Sequence, residues 1–167
     1  TASPRPGARV GVTGRPGVPR VEMSRELAER LTSEVAKFAQ ESPHLETCYA
    51  LVGNIRGDGP GRVIRVVGMI DNGPDGLRHC AMVESDRRYQ QEVLSAHQAL
   101  RPELGHIGDA HLHPGRMDRC SAGDRRNDRE SVRASRTGEM VSIILTRAPR
   151  REDDPMSHYL SGLKIDT

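Results

Sequence analysis

Two short apolar runs, Thr47-Cys48-Tyr49-Ala50-Leu51-Val52-Gly53 and Val63 to Ile70, flank the turn-rich segment Arg56-Gly57-Asp58-Gly59-Pro60-Gly61. Runs of this length, joined by glycines and a proline, read as the two strands of a hairpin. Just upstream, Ser24 stands at an N-cap position. Leu27, Leu31, Val35 and Phe38 then recur at helical spacing until Ser42-Pro43 stops the pattern. That spacing predicts an amphipathic helix over about 25–41. A helix that leads straight into a hairpin departs from the strict strand–helix alternation of a parallel sheet, so the pattern points to an α+β domain with a curved, mostly antiparallel sheet flanked by helices.

The remaining elements follow the same signals. A first strand is expected around Val18–Val21 and another near His79–Val83. Ser85-Asp86 opens a second helix whose stripe is Tyr89, Val93, Ala96 and Leu100, up to Pro102. Gly105 to His113 reads as a strand ending at Pro114-Gly115. Ser121 caps a third helix reaching about Arg136, where Gly138 ends it. Met140–Arg147 is a strongly apolar strand, and a loop over 148–155 leads into one last strand, His158 to Ile165. Residues 1–17 hold Pro4, Pro6 and Pro16 with Arg5, Arg9 and Arg15, and no acid occurs before Glu22. They read as a flexible basic arm preceding a domain over 18–167.

Composition removes several classes of function. A chain of 167 residues is one domain on length. Its 25 Lys and Arg against 23 Asp and Glu leave a formal charge of +2, too little for a global field that captures nucleic acid or anionic membrane. Phe38, Tyr49, Tyr89 and Tyr159 are the only aromatic residues, which leaves few stacking platforms for single-stranded nucleic acid. Cys48, Cys80 and Cys120 cannot all pair within the chain and do not resemble a secreted disulfide framework, which argues for a reducing cytoplasm. The longest nearly apolar stretch, Met140 to Leu145, is far shorter than the ~20 residues that span a bilayer. The start, Thr1-Ala-Ser-Pro-Arg, has neither an initiator Met nor a signal-like apolar stretch, so the numbering is expected to begin after a removed or omitted segment.

Chemistry concentrates in His111-Leu112-His113-Pro114-Gly115-Arg116-Met117-Asp118-Arg119-Cys120-Ser121-Ala122-Gly123-Asp124. Histidines at i and i+2 on a strand project to one face and can share a metal ion. Asp124, in the first turn of the following helix, lies close enough to add an oxygen ligand. Two imidazoles and one carboxylate leave a fourth position open for water, the arrangement of a catalytic zinc site. The pair Ser121 and Asp124 has a second reading as a helix cap that ties down free amides. Cys120 is either a small buried residue or a thiolate able to take the fourth zinc position. His44, His79, His97, His106 and His158 have no partner at ligand spacing. Arg125, Arg126, Arg129, Arg133 and Arg136 alternate with Asp128 and Glu130 as a solvated helix face does.

The spacing His-x-His-x7-Ser-x-x-Asp, preceded by a distant Glu at the head of a strand, resembles the signature of the JAMM metalloprotease family, the zinc-dependent branch of the JAB/MPN domain superfamily. The segment Glu46-Thr47-Cys48-Tyr49-Ala50-Leu51-Val52-Gly53 is similar to that family's Glu-bearing segment. Asp86 to Glu92 and Ile107-Gly108-Asp109-Ala110 resemble the prokaryotic JAB branch associated with bacterial ubiquitin-like conjugation. The resemblance implies one Zn2+ per chain held by His111, His113 and Asp124, with Glu46 as general acid–base and Ser121 as hydrogen-bond donor to the oxyanion. It implies a zinc isopeptidase or endopeptidase that cleaves after the C-terminal tail of a ubiquitin-like protein. The partners would be that protein or its conjugate, with the activating and conjugating enzymes of the pathway. Leu112 stands where the family has a small hydroxyl residue and Ala110 where the bacterial branch has an aromatic, departures expected to reshape the wall beside the site.

Two other functions compete: a non-catalytic JAB/MPN scaffold that has lost its metal, and a DNA-associated protein of the RadC type. Retention of every ligand position and of Glu46 argues against the first, and near-zero charge with few aromatics against the second.

Overall fold

The hairpin sits at the centre of the domain. In the computed structural model, which describes residues 9–12, 20–78, 83–114, 121–135, 138–146, 157–160 and 163–166, the elements run β1 (Arg9–Val12), β2 (Arg20–Ser24), α1 (Arg25–Glu41), β3 (Thr47–Arg56), β4 (Val63–Ile70), β5 (Leu77–Arg78), β6 (Val83–Glu84), α2 (Arg87–Leu100), β7 (Gly105–His113), α3 (Ala122–Ala134), β8 (Val141–Thr146), β9 (Ser157–Leu160) and β10 (Leu163–Asp166). Eight strands form one sheet in the order β1-β2-β4-β3-β7-β8-β10-β9, and β5 and β6 pair with each other. In the large sheet β2–β4 and β7–β8 are parallel and the other pairs antiparallel. The chain is thus an α+β domain with a mostly antiparallel sheet.

Helix α1 begins where its cap predicts, with the Ser24 hydroxyl accepting from the Leu27 amide at 3.1 Å. It buries Leu27, Ala28, Leu31, Thr32, Val35 and Ala39 at three- and four-residue intervals. That stripe packs on Tyr49, Leu51, Ile107, Leu112, Ile143 and Leu145. Burying one such aliphatic side chain contributes about 1.5–3 kcal/mol. The opposite face of the sheet carries a smaller cluster, Ala50, Val52, Ile70 and Leu104, covered by Tyr89, Val93 and Leu94 of α2. Central β3 therefore buries consecutive residues because each face has its own helix, and its apolar run does not alternate.

Two glycines let backbones meet. A Cβ on Gly53 would stand 1.9 Å from the Arg65 carbonyl oxygen, where the β3–β4 register shifts. A Cβ on Gly108 would stand 2.0 Å from the Val141 carbonyl oxygen, across the β7–β8 pairing.

Several expectations change. Residues 9–12, read as part of a flexible arm, form β1 against β2, because backbone pairing needs no apolar run and the prolines fall outside those four residues; the rest of the arm lies outside the described residues. The expected strand near His79–Val83 is represented by the short pair β5 and β6, with 79–82 not described. Leu100 is 85% exposed and Ala96 is exposed, so the α2 stripe turns toward Tyr89, Val93 and Leu94 instead. The residues of the helix that pack on the sheet cluster, Tyr89, Val93 and Leu94, lie within 87–94, its N-terminal part. The last strand is two, β9 and β10, paired antiparallel. Among the described residues no helix is long and apolar enough to cross a membrane.

Candidate metal centre

Strand β7 carries His111 and His113 on the face opposite α1, because period two sends Ala110 and Leu112 into the α1 core and the histidines the other way. The two Nε2 atoms lie 3.0 Å apart. Asp124, at the start of α3, places Oδ1 3.5 Å from His111 Nε2 and Oδ2 3.3 Å from His113 Nε2. A tetrahedral zinc with bonds of ~2.0–2.1 Å separates its ligand atoms by about 3.3 Å. The three distances, those to Asp124 measured to its two different oxygens, bracket that edge. Among the described residues this is the group of His, Cys, Asp and Glu able to hold a metal ion.

Asp124 is fixed by its helix. The Ser121 hydroxyl accepts from the Asp124 amide at 3.1 Å, and Asp124 Oδ2 accepts from the Ser121 amide at 2.5 Å, a reciprocal capping box. Both readings of the Ser121–Asp124 pair are therefore compatible: a hydroxyl that accepts from an amide keeps its own hydrogen to donate. Burial alone raises the Asp124 carboxyl, but the hydrogen bonds from His111 and from Ser121 outweigh it and hold the group well below the usual carboxylate range. It is ionised, as a metal ligand must be.

Glu46 directly precedes β3. The register pairs Thr47 with Leu112 and Cys48 with His111, so one step further sets Glu46 across from His113, on the histidine face. It is 8% exposed, and burial pushes its carboxyl up while His113 and His111 pull it partly back. A carboxyl raised in this way holds a proton more readily than an exposed one, which suits a group that must accept one. Glu46, His111, Ser121 and Asp124 line a cavity of 1130 Å³ that runs between α2 and α3. The structure thus brings together all five residues singled out from the sequence.

Leu112 and Ala110 behave differently from the expectation placed on them. Both are buried on the α1 side, 1% and 0% exposed, and neither forms a wall of the cavity. The alternation that aligns the histidines removes them from the site. His106, read as having no partner at ligand spacing, hydrogen-bonds Asp109 at 3.0 Å. The described arginines of α3, Arg125, Arg126, Arg129 and Arg133, are exposed, as a solvated face requires. Cys80 and Cys120 lie outside the described residues, and with them the idea of a Cys120 zinc ligand.

Two lining residues escaped the sequence reading. Asp128 lies one turn beyond Asp124, on the cavity side of α3, with its carboxyl pushed up by burial; its i+4 spacing from the ligand was the available signal. Cys48 lies opposite His111 and lines the same cavity. Burial pushes its thiol up to about 11, so it is a neutral hydrogen-bonding group and not a nucleophile.

Two histidines on a strand and an aspartate at a helix N-terminus thus lie close enough together to hold a metal ion, beside a buried glutamate. The model of prokaryotic homologs of the JAB domain matches residues 28–159, and the chain belongs to that family. No curated protein matches it. Among solved structures it is similar to a Desulfitobacterium hafniense protein determined in solution, at 20% identity over 74% of this chain and 73% of that one, with a TM-score of 0.42.

Proposed function

We propose that this protein is a zinc-dependent isopeptidase or endopeptidase that cleaves after the C-terminal tail of a ubiquitin-like protein. The observation that carries the reading is the convergence of His111 Nε2, His113 Nε2 and an Asp124 oxygen within 4.8 Å of one another, in a JAB-family domain whose cavity also holds Glu46. His111, His113 and Asp124 would hold a zinc ion, which when bound would polarise a carbonyl and lower the pKa of water to about 7. Glu46 takes the proton of the attacking water on its carboxylate and returns it to the leaving amine, a role worth roughly 10²–10⁴-fold. The hydroxyl of Ser121 donates to the oxyanion, worth about 10²-fold or more. No residue of the chain bonds covalently to substrate.

Val83 and Glu84, the strand β6, line the same cavity. An extended tail satisfies its backbone groups by pairing with such an edge. A narrow slot between this edge and the 114–120 segment, of which 115–120 lie outside the described residues, would favour small residues beside the scissile bond. The test is a zinc-loaded protein with a ubiquitin-like tail ending in glycines: cleavage is expected, Glu46→Gln abolishes it with zinc retained, and a bulky residue in place of the penultimate glycine removes most of the single-turnover rate. Absence of zinc after purification in its presence would favour a scaffold. Equal rates for the two tails would mean that the slot is open.

A further inference from the structure

The β5–β6 pair stands apart from the large sheet, and the residues that fasten it are the two that follow Glu46. Cys48 Sγ lies 3.1 Å from Asn72 Oδ1 and 3.0 Å from Ser85 Oγ. Asn72 precedes β5 and Ser85 follows β6, so one thiol touches both feet of the arch. Its single S–H donates to Asn72, which leaves the Ser85 hydroxyl to donate to the sulfur. The feet are also closed on each other, with the Asp86 amide donating to the Asn72 carbonyl at 2.8 Å. Asn72 is fully buried. The neighbouring residue supplies a second fastening: Arg78 Nε of β5 donates to Thr47 Oγ1 at 3.4 Å, and the guanidinium lies 5.4 Å from the centre of the Phe38 ring on α1. Glu46, Thr47 and Cys48 thus carry, in succession, the carboxylate of the site, the anchor of β5 and the joint of both feet. Cys48 is also the residue paired with His111.

We propose that Cys48 and Arg78 are positioning residues that hold the β6 edge at a set separation from Glu46 and the histidines, so that an extended substrate arriving on that edge meets the site already ordered. The inference rests on the peptidase reading for its kinetic consequence but not for the fastening itself. A tethered edge lowers the ordering cost of strand addition, an effect on substrate capture and not on the chemical step.

Amide exchange over residues 83–86, followed in the zinc-free protein, is expected to accelerate about fivefold in Cys48→Ala and in Arg78→Ala, as loss of one hydrogen bond predicts. Exchange in β7 should stay unchanged, and Cys48→Ser, which keeps a donor and an acceptor, should restore most of the protection. With a fluorogenic peptide ending in Gly-Gly, the two alanine variants are expected to raise KM about fivefold at unchanged kcat and zinc content. A merely structural role would lower the thermal midpoint and leave KM alone, and that result overturns the proposal. So does unchanged exchange at 83–86 in both variants. An inactive wild type would strike the peptidase reading, and the exchange measurement would still decide the fastening.

Discussion

Replacing Ser121 separates two roles that one side chain performs. In Ser121→Ala the bond from the Asp124 amide to the hydroxyl, 3.1 Å, is lost. The other half of the box survives, because Asp124 accepts from the backbone amide of residue 121. One cap bond costs about 1 kcal/mol, which in a domain of this size lowers the thermal midpoint by roughly 2–4 °C. The Asp124 carboxylate keeps its anchor, so zinc content should not change. Ser121→Gly removes the hydroxyl as completely but costs only a few tenths of a kcal/mol, since glycine is an acceptable N-cap. If the hydroxyl donates to the oxyanion, both variants lose about 10²-fold or more in single-turnover rate despite their unequal stabilities. Calorimetry and single-turnover cleavage of a ubiquitin-like tail, both at saturating zinc, measure the two quantities on the same samples. A glycine variant with full rate would refute the oxyanion role and leave Ser121 as a cap alone.

Three further outcomes are expected. His111→Ala, His113→Ala and Asp124→Ala should each lose zinc as well as activity, since each removes one of three protein ligands; normal metal content by elemental analysis in any of them would move the site elsewhere. In the metal-free protein Glu46 binds its proton more tightly folded than unfolded, because burial disfavours the charged form and raises the carboxyl above 4.5. Its contribution to stability therefore falls as pH rises from that value through the folded pKa, and Glu46→Gln should flatten the slope of the urea midpoint against pH over that window; parallel slopes would contradict the burial of its charge. Gly108→Ala places a Cβ 2.0 Å from the Val141 carbonyl oxygen and should cost at least ~2 kcal/mol by urea unfolding, with an unchanged midpoint refuting the close β7–β8 approach.

Much of the site was legible because its logic is local. Histidines two apart on a strand must share a face, and a Ser-x-x-Asp at a helix start must draw its own side chains together, so four of the five residues were placed by periodicity and capping alone. Glu46 was not of that kind. Nothing near it in the chain singles it out, and only the family resemblance did so before the β3–β7 register set it across from His113. Cys48 was missed for the same reason, since its relevance comes from His111 across the sheet, whereas Asp128 carried a local signal, its i+4 spacing from Asp124, that went unread.

The boundaries of α1, the hairpin of β3 and β4, and the direction of the two histidines were determined by the chain itself, through spacing, a cap and turn residues that act over a few positions. Tertiary structure alone decided which strands became neighbours, that residues 9–12 join the sheet, and that Leu100 is left in water although its spacing suits a buried stripe. Strand pairing and burial depend on partners far away in sequence, whose placement follows from closing loops and covering both faces of one sheet. Local patterns are silent on that competition, because a strand's hydrogen-bonding groups are the same whichever edge they meet.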